Sequence, residues 1–485
     1  MITGILLKPS GLSVFLGGYM HVEYKVEPFL DSIFDPESHR IVWFRALVFF
    51  PSGKFRVGAM GFLLSFPDRN GPFAWPLGTR FMGYRAYVSI PFKRINKIWK
   101  IGVGLLSIVI IAATLGIWGY LFTQPMIKSG DKPPLLLVSS SAGSSVPDLT
   151  LAAWNKTSRT ITAALSSEAE PAKKIVSDSP HAHRFRFSEL QPDRVYTYQL
   201  DGQPAVSFRS LPDISVEGSN PFRTVFSGDA HYGSSKRLAE KTQRMMDQWI
   251  SQKDEIDLFC LVGDITEMGF LDSDWQIAID ALSPVFSQIP LIAVPGNHDA
   301  LFKGYRHYLD YLHPEGLTGF EDLYRRVDVG PVHFLLLSAL WGTEDISRNQ
   351  IAWLETQLAS IPEDHWKVVV AHCYSYASGS LFTGEPWYDH PDMIRELTPL
   401  FEKYRVDLVV SGHNHHMEAL EHAGVAYALI GTMGAALDKI TYDSPASLWS
   451  RDTHGWLDVT WTEHEASLRF FQWDGALLFA HALRK

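Results

Sequence analysis

The sequence predicts a layered α/β domain that follows a β-sandwich and one transmembrane helix. Three observations support this prediction. From residue 221 to residue 485, short apolar runs typical of buried strands alternate with segments of helical periodicity. Residues 135–212 instead contain short alternating strands separated by polar turns. Residues 101–122 form one long apolar run, and a chain of 485 residues is long enough for about three domains.

The run from Ile101 to Phe122 contains no charged residue and is long enough to cross a bilayer. A buried core helix is one alternative, and a cleavable signal peptide is another, but residues 123–126 offer no small-x-small cleavage site. Four basic residues shortly before the run favour a cytosolic N-terminus: Lys93, Arg94, Lys97 and Lys100. We therefore predict a single-pass signal anchor, with the linker 123–134 holding the rest of the chain in the periplasm or outside the cell.

Residues 1–91 are rich in aromatic residues and glycine but contain no ligand cluster or repeat. Strands are predicted at His39–Phe49 and Phe55–Phe66. Two interpretations stay open for this region. It is a small cytosolic β-domain, or a later start such as Met82 means that it is not a natural domain.

The two following parts differ in periodicity. The strands in residues 135–212 have the length and spacing of a fibronectin III or immunoglobulin β-sandwich. Beyond them, buried strands are predicted at Thr224–Phe226, Ile256–Val262, Leu291–Val294, Val368–Ala371 and Val406–Val410. Helices are predicted at Ser234–Ile250, Asp274–Phe286, Ser347–Leu358 and Asp392–Tyr404, with an antiparallel meander over residues 455–480.

A short motif with acidic or histidine residues follows each of these five buried strands. The motifs are Gly228-Asp229-Ala230-His231, Gly263-Asp264, Gly296-Asn297-His298-Asp299, Ala371-His372 and Gly412-His413-Asn414-His415. A single such Asp or His is usually a turn or solvated residue. Because α/β sheets bind ligands at the carboxyl ends of their strands, five motifs in these positions predict one common site.

The residue types in the motifs indicate a site for two divalent ions. Imidazole, carboxylate and one amide oxygen suit manganese, iron or zinc, whereas an all-oxygen site would suit magnesium or calcium. Two such ions about 3.5–4 Å apart can generate a hydroxide and hold both oxygens of an in-line displacement at phosphorus. Asp264 stands alone at its strand end and is the predicted bridging ligand.

The five motifs resemble those of the calcineurin-like metallophosphoesterase superfamily, which read D-x-H, GD, GNH(D/E), H and GH-x-H. The resemblance covers Pro221 to Gly434 and implies a four-layer fold, in which two mixed sheets face each other with helices outside. It implies one metal on Asp229, His231, Asp264 and His415, and a second on Asp264, Asn297, His372 and His413. It also implies that His298 protonates the leaving alkoxide, and we expect Asp299 to orient that ring.

The reaction implied is hydrolysis of phosphomonoesters or phosphodiesters by attack of a metal-bound hydroxide. Residues 190–192, 196–200 and 208–210 also resemble the N-terminal sandwich of purple acid phosphatases. Those enzymes, however, have glycine in place of His231 and a tyrosine in place of Glu267. These two differences therefore favour a pair of divalent metal ions that has no tyrosinate ligand.

Composition argues against a nucleic-acid-coating role and disfavours, without excluding, a nuclease. The net charge of −10 argues against a protein that coats nucleic acid, so a phosphate-ester substrate and no nucleic-acid partner are expected. The two cysteines, Cys260 and Cys373, provide no disulfide framework. Two alternatives stay open: a non-catalytic binding or adhesion protein on the same scaffold, and a hydrolase of pyrophosphate or lipid-linked phosphate. The aromatic segment Tyr374–Pro391 is expected to overhang the site.

Overall fold

The computed structural model describes the strands within residues 2–91, four helical residues (112–114 and 116), and most of the chain from residue 131 to residue 485. In that last range the described residues exclude 140–145, 156–159, 170, 180, 217, 236, 317–322, 341, 343–345 and 381–386. The chain divides into two compact units, Met1–Pro125 and Met126–Lys485.

The first unit contains a six-stranded antiparallel sheet with the order β1-β2-β3-β6-β5-β4. Its strands are β1 (Ile2–Lys8), β2 (Gly11–Leu16), β3 (Met20–Pro28), β4 (Leu47–Phe49), β5 (Lys54–Met60) and β6 (Met82–Pro91). The predicted membrane segment Ile101–Phe122 lies outside the described residues, apart from 112–114 and 116. Among the residues that are described, no helix combines the length and the apolar character needed to cross a membrane.

The second unit begins with seven strands that form two packed layers. They are β7 (Lys132–Val138), β8 (Leu149–Trp154), β9 (Thr160–Ser167), β10 (Lys173–Asp178), β11 (Ala182–Phe187), β12 (Val195–Leu200) and β13 (Val206–Arg209). One layer has the order β11-β8-β7 and the other β10-β9-β12-β13. Aromatic rings fill the space between the layers: Phe187 stacks on Phe208 with ring centroids 5.9 Å apart. The alternating burial of β11 and β12 matches this two-layer packing.

Two larger sheets follow, and the first is continuous with β7. It runs β11-β8-β7-β16-β15-β14-β26-β27-β28, and the second runs β17-β18-β19-β21-β23-β22-β25. The strands are β14 (Phe222–Ser227), β15 (Leu258–Val262), β16 (Leu291–Val294), β17 (Arg325–Val329), β18 (Val332–Leu336), β19 (Trp366–Val370), β20 (Gly379–Ser380), β21 (Leu408–Ser411), β22 (Met417–His422), β23 (Val425–Ile430), β24 (Lys439–Ile440), β25 (Ser447–Arg451), β26 (Gly455–Trp461), β27 (Glu465–Gln472) and β28 (Leu477–Arg484).

The continuity of β7 with the larger sheet differs from the prediction of a separate sandwich. Leu137 of β7 pairs in parallel with Leu291 of β16. Leu136 and Val138 face the core between the sheets, whereas Leu135 and Leu137 pack with the helices. A strand that is apolar on both faces needs cover on both faces, and the junction of the two sheets provides it.

In the described part of residues 131–485, six helices cover the outer faces of the two large sheets. They are α1 (Ala239–Ser251), α2 (Asp272–Phe286), α3 (Tyr305–Leu312), α4 (Arg348–Ser360), α5 (Pro391–Glu396) and α6 (Thr398–Lys403). Trp249 of α1 and Trp275 of α2 pack on the nine-stranded sheet, and Leu358 of α4 packs on the seven-stranded sheet. Phe334 and Trp461 meet between the sheets. The helices and the two sheets together form four layers in the order helix, sheet, sheet, helix, as predicted.

The parallel strands bring the five motifs to one region of the fold. Strands β14, β15 and β16 are parallel neighbours, and so are β18, β19, β21 and β23. The motifs follow the C-terminal ends of β14, β15, β16, β19 and β21. Their loops meet above the seam between the two sheets, where side chains from both can converge.

Candidate metal centre

All of the predicted histidine and carboxylate ligands meet in one cluster. Three groups of potential ligand atoms occur there, each with its atoms within 4.8 Å of one another. The groups are Asp229, His231 and His415; Asp264, His372 and His413; and His231, Asp264 and His298. The first two correspond to the two predicted metal positions, and the third adds the residue that was predicted to face the substrate.

The first position, here called the His231 subsite, lies among Asp229, His231, Asp264 and His415. His415 Nε2 is 3.1 Å from Asp229 Oδ1. His231 Nε2 is 3.5 Å from Asp264 Oδ2 and 4.0 Å from Asp229 Oδ1. Nε2 of His231 is buried and has no hydrogen-bond partner in the described part of the chain. A buried imidazole nitrogen that faces two carboxylates without a partner fits a metal ligand.

The second position, the His372 subsite, lies among Asp264, Asn297, His372 and His413. His372 Nε2 is 3.0 Å from Asn297 Oδ1 and 3.4 Å from Asp264 Oδ2. His413 Nδ1 is 3.1 Å from His372 Nε2. Asp264 Oδ2 is therefore close to ring nitrogens of both subsites, which is the position that a bridging carboxylate requires.

Main-chain carbonyls orient two of the ligand rings. Nδ1–H of His372 donates to the carbonyl of Val262 at 2.8 Å, and Nδ1–H of His415 donates to the carbonyl of Ala436 at 2.9 Å. A carbonyl can only accept, so these bonds fix the proton on Nδ1 and leave Nε2 free for a metal. The donor set is prepared for metal binding by the fold itself.

The backbone at the site adopts strained conformations. Asp229, His231, Asp264 and His413 have φ values of 59°, 47°, 48° and 70°. Residues other than glycine rarely adopt such angles, and those that do concentrate at functional sites, where the surrounding structure holds them. This strain indicates that the loops are built to place these side chains rather than to reach their lowest local energy.

A close approach of two loops requires glycine at position 296. A Cβ atom added at Gly296 would overlap the carboxylate and amide nitrogen of Asp264. Gly296→Ala is expected to weaken metal binding by about 10-fold or more, because it displaces the shared ligand. Equilibrium dialysis against Zn²⁺ measures this. Asp254→Ala serves as the control, since the Asp254 side chain is exposed at the surface and pairs with Lys253. Wild-type binding by the Gly296→Ala variant would contradict the expectation.

The charges of the site match those of a cation-binding pocket. Burial lowers the pKa of His372, but the carboxylates of Asp264 and Asp229 outweigh it and raise the pKa to about 9. Burial likewise lowers the pKa of His415, and its bond to Asp229 raises it to about 9. The pKa of Asp264 lies well below its usual range, since the neighbouring histidines outweigh the effect of burial. The carboxylates therefore favour positive charge at both subsites.

His298 lies beside the His231 subsite. Its ring centroid is 4.5 Å from that of His231. Its amide donates to Asp264 Oδ1 at 2.8 Å, and its Nδ1–H donates to the carbonyl of Glu267 at 2.8 Å. Burial lowers the pKa of His298, but Asp264 and the Glu267 carbonyl raise it by more. This is a suitable environment for an imidazole that donates a proton.

The prediction that Asp299 orients His298 is wrong. The Asp299 carboxylate is fully buried and accepts four hydrogen bonds from other groups. Their donors are the amides of Ile265, Thr266 and Gly296 and the hydroxyl of Thr266, at 2.9–3.2 Å. Asp299 thus ties the Asp264 loop to the Gly296 loop. The His298 ring instead donates its Nδ1–H to the main-chain carbonyl of Glu267. The motif pattern did not identify this role of Glu267.

Aromatic side chains border the His372 subsite, as predicted for the segment that follows His372. The ring centroid of Trp387 is 4.5 Å from that of His413. The hydroxyl of Tyr374 and the Asn414 amide both donate to the Trp387 carbonyl. Residues 381–386, including Phe382, lie outside the described residues. Trp387 is half-buried and forms one wall of the site.

A buried network that the sequence did not predict supports this wall from behind. His416 Nε2 lies 2.7 Å from Glu418 Oε2, and its Nδ1 lies 2.9 Å from Asn414 Oδ1. The Glu418 carboxylate accepts from the amide and the hydroxyl of Ser378 at 2.8 and 2.6 Å. The network links the last motif to the loop that carries Trp387. His416, next to the ligand His415, is therefore a structural neighbour.

Comparison with known proteins agrees with this geometry. Residues 222–417, which include all five motifs, match the calcineurin-like phosphoesterase family. The chain carries a calcineurin-like phosphoesterase domain. Curated relatives include the probable purple acid phosphatase 20 of Arabidopsis thaliana, 26% identical over 272 residues, or 50% of this chain and 58% of the relative. A nucleotide pyrophosphatase/phosphodiesterase of Hordeum vulgare is 23% identical over 232 residues, or 44% of this chain and 59% of that protein.

The matches to Arabidopsis purple acid phosphatases 20, 23 and 21 span 58, 64 and 54% of those proteins. Among solved structures, the purple acid phosphatase PPD1 from yellow lupin (Lupinus luteus) superposes with a TM-score of 0.62 at 17% identity, covering 73% of this chain and 74% of that one. PhoD gives 0.54 at 13% identity, covering 74 and 92%. At these low identities the superpositions establish the fold and do not establish the function.

The Asp264 loop, residues 264–271, is described in full and contains no tyrosine that could bind a metal. Glu267 stands where purple acid phosphatases have a tyrosine. The nearby Tyr232 and Tyr374 direct their hydroxyls to Met246 Sδ and to the Trp387 carbonyl. Protein loaded with ferric iron is therefore expected to lack a tyrosinate charge-transfer band in its visible absorption spectrum. A purple colour on iron loading would contradict this ligand set.

Proposed function

We propose that the protein is a metal-dependent hydrolase of phosphomonoesters or phosphodiesters. One observation carries the proposal: two complete sets of donors share Asp264 Oδ2, which lies 3.5 Å from His231 Nε2 and 3.4 Å from His372 Nε2. When bound, two divalent ions supply a nucleophilic hydroxide at neutral pH and stabilise charge on the entering and leaving oxygens.

The remaining chemistry belongs to the side chains of the site. Asp229, His231 and His415 would hold one ion, Asn297, His372 and His413 would hold the other, and Asp264 would be shared by both. His298 donates a proton to the departing alcohol oxygen, because its Nδ1 is bonded to the Glu267 carbonyl and its Nε2 is the remaining nitrogen. The Trp387 ring lies edge-on against His413, with the ring centroids 4.5 Å apart, on the His372 side of the site.

A non-catalytic role is the alternative from a different class of function. Several relatives carry names of that kind, such as the probable inactive purple acid phosphatases 1, 24 and 27 of Arabidopsis thaliana. The complete donor set and the strained backbone at Asp229, His231, Asp264 and His413 support catalysis, because a scaffold needs neither. Hydrolysis of pyrophosphate or lipid-linked phosphate is a further candidate within the enzyme class.

A substrate panel tests the proposal. Full-length protein loaded separately with Mn²⁺, Zn²⁺ and Fe²⁺ is assayed on p-nitrophenyl phosphate, bis(p-nitrophenyl) phosphate and inorganic pyrophosphate. Turnover of either p-nitrophenyl ester, and its loss in His372→Ala, is the expected result. Turnover of pyrophosphate alone would favour the further candidate. Protein that holds two ions per chain and hydrolyses none of the three would contradict a catalytic role.

We also propose that residues 135–212 form a fibronectin III-type domain. Its layers of three and four strands, with the order β11-β8-β7 and β10-β9-β12-β13, support this assignment. A second support is Tyr196 at the start of β12, whose hydroxyl accepts from the amide of Gln191 at 2.9 Å, as in the tyrosine corner of such sandwiches. An experimental structure in which these strands follow another order would contradict it.

We propose further that the phosphoesterase domain lies outside the cytosol on a membrane anchor. The charge-free run Ile101–Phe122 and the basic residues before it support this placement. A β-lactamase fusion at the C-terminus is expected to be active only in the exported form, and deletion of residues 101–122 should abolish that activity. A fusion that stays cytosolic would overturn the proposal.

A further inference from the structure

We infer that Glu267 is a positioning residue that holds two histidines of the site at once: its carboxylate orients His231, and its carbonyl orients His298. The inference rests on the proposed function and names a residue outside the five motifs. Glu267 lies three residues after Asp264, at the point where the Asp264 loop passes beside both rings.

The carboxylate of Glu267 fixes the tautomer of His231. Glu267 Oε2 lies 2.8 Å from His231 Nδ1. A carboxylate only accepts, so Nδ1 carries the proton and Nε2 presents its lone pair. That nitrogen is the one that faces Asp264 Oδ2 and Asp229 Oδ1, at 3.5 and 4.0 Å. A carboxylate behind an imidazole ligand also increases the basicity of the ring, and such partners strengthen metal binding.

The carbonyl of the same residue orients the second ring. It accepts from His298 Nδ1–H at 2.8 Å. The rings of His231 and His298 are 4.5 Å apart and steeply inclined at 71°. Each ring therefore has its Nδ1 held by Glu267, which leaves each Nε2 for the site. The spacing of the two rings depends on where this one residue stands.

The backbone around Glu267 is fixed on both sides. The amide of Glu267 donates to the carbonyl of Tyr232 at 2.8 Å, and the amide of His231 donates to the carbonyl of Asp264 at 3.0 Å. The amide of Gly269 donates to the carbonyl of His298 at 3.0 Å. These bonds place the Glu267 carbonyl independently of its side chain, so the two functions of the residue can be separated by substitution.

The side chain is accessible enough to be replaced without damage to the core. It is 29% exposed, and its carboxylate lies at the edge of the site rather than in an apolar cluster. Metal-free Glu267→Ala protein should therefore still fold, with only a small fall in unfolding temperature from the lost hydrogen bond to His231. Glu240→Gln is the matched control, because Glu240 lies exposed in the first turn of α1 and pairs only with Arg244 in the described residues.

The test is a titration of the metal-free, full-length protein with Zn²⁺ in competition with a chelating dye, which resolves two stepwise binding constants. Glu267→Ala should weaken one constant by about 10- to 100-fold. Glu267→Gln retains an acceptor for His231 Nδ1–H and should lose less than the alanine variant. Glu240→Gln should bind as the wild type does. Wild-type constants in Glu267→Ala would overturn the inference.

A second measurement separates the role of the Glu267 carboxylate from the role of its main-chain carbonyl. Loss of a proton donor slows a poor leaving group more than a good one, so His298→Ala should raise the ratio of kcat/KM for p-nitrophenyl phosphate to that for phenyl phosphate. Glu267→Ala keeps the carbonyl and should show the wild-type ratio at saturating Zn²⁺. A raised ratio in Glu267→Ala with unchanged metal constants would contradict the assignment of its side chain to His231.

The two readouts also separate this inference from the proposed function. If the wild type binds two ions but hydrolyses no ester, the proposed function fails while the titration still decides the role of the Glu267 carboxylate. If the wild type hydrolyses esters and Glu267→Ala binds both ions normally, the inference about Glu267 fails by itself.

Discussion

Replacing Asp264 with alanine is expected to remove both metal ions and to lower kcat/KM by at least about 10³-fold. The Asp264 carboxylate is close to ring nitrogens of both subsites, with Oδ2 at 3.5 Å from His231 Nε2 and 3.4 Å from His372 Nε2. Its loss should exceed that of a single preorganised hydrogen-bond donor, which costs about 10²- to 10³-fold. Metal content by mass spectrometry and initial rates on p-nitrophenyl phosphate measure the two effects.

Asp254→Ala is the matched control for this substitution, because Asp254 is exposed at the surface and pairs with Lys253. It should keep both ions and the wild-type rate. Asp264→Ala protein that retains two ions and full activity would show that Asp264 is not the shared ligand. Thermal unfolding of the metal-free proteins checks that both variants fold.

Replacing His298 with alanine is expected to leave both ions bound and to lower kcat on alkyl phosphates by about 10²- to 10⁴-fold. The loss should be smaller on p-nitrophenyl phosphate, whose leaving group departs without a proton. The physical reason is that His298 touches the site through its ring, beside His231, while its Nδ1 is held by the Glu267 carbonyl. A general acid acts on the leaving oxygen and contributes little to metal affinity.

This substitution also tests the third group of potential ligands, in which His298 stands with His231 and Asp264. If His298→Ala loses an ion, His298 is a metal ligand and the proposed proton transfer is wrong. His464→Ala is the control, because His464 is exposed on the turn between β26 and β27 and lies away from the motifs. It should match the wild type in both measurements.

Most of the site could be predicted from the sequence because its ligands are tied to local features. Asp229, Asp264 and His372 each follow a buried strand within a few residues, and strand ends are visible in the apolar pattern. The roles of Glu267 and Asp299 could not be predicted in this way. Which of two neighbouring groups meets the His298 ring depends on how two loops pack, and Asp299 is taken up by amides from the Asp264 loop.

The fold shows the same division between local and distant interactions. Helices α2 and α4 agree with their predicted bounds within two residues, whereas α1 begins at Ala239, five residues after the predicted start at Ser234. The predicted helix over Asp392–Tyr404 is divided at Leu397, because Pro399 lacks the amide proton that a continuous helix would use. The apolar run of β7 is typical of a strand buried on both faces. Its pairing with β16 could not be predicted from this pattern, because the partner strand lies more than 150 residues away in the sequence.

The most direct test of the two-metal account is an anomalous-scattering experiment on crystals of the protein loaded with Zn²⁺ or Mn²⁺. Two peaks about 3.5–4 Å apart are predicted. One should lie against Asp229, His231 and His415 and the other against Asn297, His372 and His413, with the Asp264 carboxylate between them. A single peak, or two peaks that Asp264 does not join, would contradict the account.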